Sequence, residues 1–146
     1  MHAFLVLVIT SLNIAAVPDD TAQAEMKKLQ GNWVRVSAHI NGEFVDDSGR
    51  KPEHLIKLKI DAGKFHDMTF TLDVTKTPRH INIQTFDDKR KPFSMPGIYE
   101  LNGDELKVCM PFPFEGKFDH MSKRPTAFTS KRGGNDVLEV YRRVKP

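Results

Sequence analysis

Cysteine is almost missing from this 146-residue chain, which carries Cys109 and no other. A lone thiol cannot close an internal disulfide, so the fold has to stand on its hydrophobic core. Strong charge of one sign is missing too. A formal net charge of +3 is too small to argue for nucleic acid as a partner. The local clusters Lys89-Arg90-Lys91 and Lys131-Arg132 are read as solvated turns rather than phosphate sites. The chain also has no nucleophile elbow, phosphate loop or dinucleotide fingerprint. Its six histidines, among them His39, His54, His66, His80 and His120, form no ligand pair at helical spacing. Asp46-Asp47 and Asp87-Asp88 lack the alternating acidic spacing of a calcium loop. No catalytic residue, metal ligand or cofactor is nominated by these patterns, and the expectation is a protein that is not an enzyme.

With 28% charged and 39% hydrophobic residues, the chain has the balance of an ordinary folded domain, and its length suits one core rather than two. Residues 3–16 are apolar and uncharged, too short to span a bilayer comfortably, and are followed by Pro18, Asp19 and Asp20. That is the pattern of a secretory signal occupying residues 1–16, with cleavage after Ala16, although Lys and Arg are missing from its front end. The expected product is an exported domain over residues 17–146, periplasmic, cell-envelope or secreted, monomeric and without a stable membrane span.

After the signal, Asp20 and Gln23 suit a helix start, and Ala22, Met26 and Leu29 share one face before Gly31 stops the helix. Short alternating runs then follow one another. Residues 32–40 lead through Asn41-Gly42 to 43–45; Ile56, Leu58 and Ile60 alternate with lysines; Phe70, Leu72 and Val74 form another face. Ile81, Ile83 and Thr85 lie opposite His80, Asn82 and Gln84. Residues 97–109 are a hairpin signal, with two alternating arms around Asn102-Gly103 that place Leu106 and Val108 inward. Two further strands are expected at 126–130 and 137–144, joined at Gly133-Gly134. Many short strands with turn chemistry between them and no second helix describe an all-β antiparallel fold. An up-and-down barrel with a short N-terminal helix plugging one end removes exposed edges.

Several stretches carry a resemblance. Leu29-Gln30-Gly31-Asn32-Trp33, entered from a short helix, resembles the Gly-x-Trp opening of lipocalin-like (calycin-type) barrels. The hairpin 97–109, Arg124-Pro125-Thr126-Ala127-Phe128 and the terminal Val140-Tyr141-Arg142-Arg143 are similar to a family of uncharacterised lipocalin-like domains typical of planctomycete-type bacteria. Residues 77–83 match that family's Pro-Lys-x-Ile-Asp-like strand, with Arg79 in place of Lys and Asn82 in place of Asp. The resemblance covers residues 20–144. It implies a lipocalin-like barrel, with Trp33 packed under Arg142 or Arg143 to close one end, and it implies no established activity.

Two groups are candidates for ligand contact. His80, Asn82 and Gln84 line a polar cavity if their face turns inward and are surface if it turns outward. Phe112, Phe114 and Phe118, with Met121, make an unusually apolar loop that suits a mouth or docking patch, or else folds back to cap the core. Cys109 is expected to be a buried small residue. The functional expectation is an exported domain that binds a small apolar ligand, or a partner, at an open barrel end. The alternative is a solid-core scaffold or interaction module with no cavity; an enzyme or a metal-binding protein is less favoured.

Overall fold

Alternation of apolar and polar residues along short strands is satisfied by one antiparallel sheet whose inner face holds the core. The computed structural model describes residues 20–87, 89–112 and 123–145, so the signal segment expected over residues 1–16 lies outside the described residues. The elements are α1 (Asp20–Leu29), β1 (Gly31–Ile40), β2 (Glu43–Asp46), a 3-10 turn (Pro52–His54), β3 (Lys57–Ile60), β4 (Lys64–Phe65), β5 (Met68–Asp73), β6 (Arg79–Phe86), β7 (Pro92–Asn102), β8 (Glu105–Pro111) and β9 (Asp136–Arg143).

The strand order is β2-β1-β9-β8-β7-β6-β5-β4, with β3 pairing the first half of β1. β1 therefore carries two partners on one edge: β3 opposite residues 31–34 and β2 opposite residues 37–40. The register on the β9 side shifts between Arg35 and Ser37, a bulge at the level where the partner changes. Arg35 donates its N–H to the Ile56 carbonyl at 2.8 Å, and Val36 accepts from Asp47 N–H at 2.9 Å, so loop backbone fills the gap. At the far end, β3 turns directly into β4, where Asp61 and Lys64 form a single bridge and Phe70 donates its N–H to Gly63 at 2.8 Å. The result is a curled, half-barrel sheet with one helix.

Turn chemistry differs between two of the tight hairpins. Between β1 and β2, Asn41 and Gly42 both have positive φ (52° and 77°), as a type I′ turn requires. Between β7 and β8 the paired residues are Asn102 and Glu105, so the loop is Gly103-Asp104, one place along from the Asn-Gly pair. Gly103 carries the positive φ (60°), the first central position of a type II′ turn.

The inner face of the sheet is built from Phe70, Ile81, Ile83, Met95, Tyr99, Leu106 and Val108, with Trp33, Ile60, Tyr141 and Leu29 of the helix. The helix lies over one end. Leu29 is buried and Met26 packs beside it. Glu25, also buried, pairs with Arg79 of β6 and, at 3.3 Å, with Lys28.

The strand expected at residues 126–130 does not form. Both edges of β9 are taken, by β1 and β8, and no ladder position is left for it. The chain from 123 to 130 instead crosses the outer face of the sheet, where Phe128 covers a second small cluster of Ile98, Cys109 and Leu138. Arg124 anchors it. Its guanidinium donates to the carbonyls of Ile81 (3.0 Å) and Gly97 and to Asn82 Oδ1. Pro96, opposite Asn82 in the β6–β7 ladder, has no N–H to offer there, and the arginine supplies donors at the same spot.

Candidate ligand cavity

One end of the curled sheet is shut by a small set of residues converging on the C-terminus of α1. Trp33 is fully buried and donates its indole N–H to the Leu29 carbonyl at 2.9 Å. Arg143, not Arg142, lies over the indole, its guanidinium carbon 4.1 Å from the ring centroid. The same guanidinium donates to the carbonyls of Gln30 (2.6 Å) and Lys28 and pairs with Asp104 at 3.3 Å. Three helix-end carbonyls, which have no partner inside the helix, are satisfied by two side chains. Gly31 belongs to the same unit: its φ is 125°, and a Cβ there would stand 3.0 Å from Arg143 Nη1. Strand alternation decides between the two arginines. Val137, Glu139, Tyr141 and Arg143 share the inner side of β9, and Arg142 is left exposed.

Beyond this closed end the interior holds a cavity of about 310 Å³. Ile81, Ile83, Tyr99, Leu106 and Val108 form much of its wall, and Met68, Met110 and Phe112 stand toward the opposite end of the strands. Ile56 and Phe112 line it while remaining 41% and 47% exposed, which marks that end as a mouth. Lys57 and His66, both exposed, are the polar groups there.

A polar cluster adjoins the apolar wall. Glu139 lines the cavity; its Oε1 accepts from Arg35 Nη1 at 2.9 Å and its Oε2 from the Tyr141 hydroxyl at 2.8 Å. Arg35 Nε pairs with Asp47 at 2.6 Å, and Arg50 reaches the other oxygen of Asp47 at 2.7 Å. Asp47 is wholly buried, and two cations and two anions balance. Burial opposes the charge of Arg35, but hydrogen bonds to Asp47 and Glu139 outweigh it and leave its pKa above the ordinary value. Burial, with the neighbouring Glu139 charge, pushes the Tyr141 phenol well up. Tyr99, whose hydroxyl lies near Glu25 and Arg79, is pushed up to about 12, chiefly by burial.

The candidate polar face of β6 turns outward, because Ile81 and Ile83 take the inner positions. Asn82 holds Arg124, Gln84 donates to Ser94 Oγ at 3.1 Å, and His80 sits opposite Asp73. Burial and then the Arg124 charge hold the His80 pKa below its usual value. None of the three lines the cavity. Of the three candidate phenylalanines, Phe112 does; Phe114 and Phe118 lie outside the described residues. Cys109 faces the outer cluster, donates weakly to Thr129 O at 3.6 Å, and has its thiol pushed up to about 11 by burial. Sequence patterning missed Arg35, Asp47 and Glu139. The alternation around Glu139 placed it on the face of Tyr141, but a carboxylate on an inner face is visible only once its cationic partners are known.

Among the described residues no three His, Cys, Asp or Glu side chains come together as a metal site, and no helix is long and apolar enough to cross a membrane. The basic residues 89–91 sit in an exposed turn whose backbone N–H groups bond Asp87 Oδ1 (2.9 and 2.7 Å). Comparison with protein-family models, with curated proteins and with solved structures finds no match to this chain.

Proposed function

We propose that this chain is an exported lipocalin-like binding domain, its sheet acting as a barrel closed by the helix and by Trp33–Arg143, and that its open end admits a small apolar ligand. The observation that carries this reading is the cavity of about 310 Å³, walled by apolar side chains and open at the end opposite the helix. Native ligand pockets begin at about 300 Å³ and are mostly apolar with a few polar groups, as here. The ring of pairings supports the barrel: β1 carries β3, β3 turns into β4, and β4 leads through β5 to β9 and back to β1. Export is supported by the apolar, uncharged run of residues 3–16.

Titration with N-phenyl-1-naphthylamine, a neutral dye that brightens in apolar surroundings, tests it. Saturable one-to-one binding is expected, and Met110→Trp, which places a bulky indole in the cavity wall, is expected to weaken it at least tenfold. Absence of dye binding to the folded protein would favour the solid-core scaffold instead.

A further inference from the structure

The wall of the cavity is not uniformly apolar, and its polar part has a direction. Glu139 is the one carboxylate among the described lining residues, and its side chain keeps 17% exposure although it lies on the inner face of β9. Each of its oxygens already accepts one hydrogen bond, from Arg35 and from Tyr141. A carboxylate oxygen has two lone pairs, so each retains capacity for one more donor. Tyr141, which also lines the cavity, has spent its single hydroxyl proton on Glu139, so its oxygen is left as an acceptor. Arg35, the cation behind Glu139, is not part of the lining. The polar patch therefore offers acceptors. It repels a carboxylate, and a buried ammonium would be only partly compensated, because Arg35 and Arg50 already balance Asp47 and Glu139.

We propose that the ligand is an apolar molecule carrying a neutral hydrogen-bond donor, a hydroxyl in the simplest case, which it gives to Glu139. This rests on the cavity being a ligand site, and it names the class that the site takes. Glu139 selects for the donor: an analogue without it covers the carboxylate's remaining acceptor positions and leaves them unfilled, and sites built this way discriminate strongly. Lys57 and His66 stand exposed at the mouth, where a carboxylate would be held in water with its chain only partly buried.

Displacement of N-phenyl-1-naphthylamine by 1-decanol, 1-methoxydecane and decanoate tests the assignment. The alcohol is expected to compete at roughly tenfold lower concentration than the ether, and decanoate to be weaker than the alcohol. Glu139→Gln, which leaves Arg35 its partner Asp47, is expected to shrink the alcohol-to-ether ratio to within about twofold. Tyr141→Phe, which frees one oxygen of Glu139, should keep a clear preference for the alcohol. Equal competition by alcohol and ether, or stronger competition by decanoate, overturns the donor assignment while the ligand cavity stands. If neither the dye nor any of the three binds the folded protein, the cavity reading falls with it.

Discussion

Replacing Arg143 by alanine removes the side chain that joins the first strand, the helix end and the last hairpin. The guanidinium over the buried Trp33 ring at 4.1 Å, itself partly exposed, is worth about 1 kcal/mol. Its two hydrogen bonds to the carbonyls of Lys28 and Gln30 contribute about 1 kcal/mol each, since water re-solvates part of what is lost. The Asp104 pair, about half exposed on the carboxylate side, adds at most a few tenths. Together this is about 3 kcal/mol, a large share of the roughly 5–15 kcal/mol that holds a domain folded. With a urea slope of about 1.5 kcal/mol per molar, the midpoint falls by about 2 M. Trp33 is the single tryptophan, so its fluorescence reports the transition directly. Arg142→Ala, exposed beside it, is expected to change stability by less than about 0.5 kcal/mol. Arg143→Lys should fall between the two, because an ammonium keeps the charge but loses the planar fork. Equal costs for Arg142→Ala and Arg143→Ala, or a cost below about 0.5 kcal/mol for Arg143→Ala, would refute this role for Arg143.

Other outcomes concern Asp47, Gly97 and Cys109. Asp47→Asn leaves Arg35 and Arg50 short of their shared anion and is expected to destabilise by about 3 kcal/mol in urea unfolding, whereas Asp46→Asn on the exposed side should cost little. Gly97→Ala should cost about 2 kcal/mol by the same assay, because its Cβ would sit 2.9 Å from the Cys109 carbonyl and 3.0 Å from Ile81 Cγ2. Cys109, with its thiol pushed up to about 11, should resist iodoacetamide at pH 8 until the protein unfolds. The unfolded chain releases that proton near pH 9 while the native state holds it, so stability should decline as pH rises from about 9 to about 11, and Cys109→Ala should reduce that slope.

Much of the architecture could be read from local patterns, because alternation, turn glycines and the helix stop are encoded within a few residues. Leu106 and Val108 face the core, and Asn41-Gly42 turns as its positive-φ preference requires. What local pattern could not supply is which face of a two-sided strand turns inward and what a third element covers. On β6 the polar triplet His80, Asn82 and Gln84 lost the interior to Ile81 and Ile83, and Asn82 became a ligand of Arg124 instead. The stretch 126–130 has strand-like composition, yet both edges of β9 were already paired, so it became an outer cover anchored by Arg124 and Phe128. The pairing of Arg35 with Glu139 joins residues 104 apart in sequence, beyond the reach of any periodicity argument. Similarly, alternation separates Arg143 from Arg142, but which of the two faces of β9 turns inward to meet Trp33 is set by the assembled sheet.

If the curled sheet works as proposed, it encloses a space that a small apolar molecule occupies. Native mass spectrometry of the protein purified from its own compartment tests it most directly, since mass reports ligand, metal and stoichiometry together. A one-to-one adduct of a small, uncharged or weakly polar organic molecule is expected, lost on denaturation and on Met110→Trp substitution. A bare polypeptide mass, in protein that also fails to take up 1-decanol when it is supplied, would contradict it.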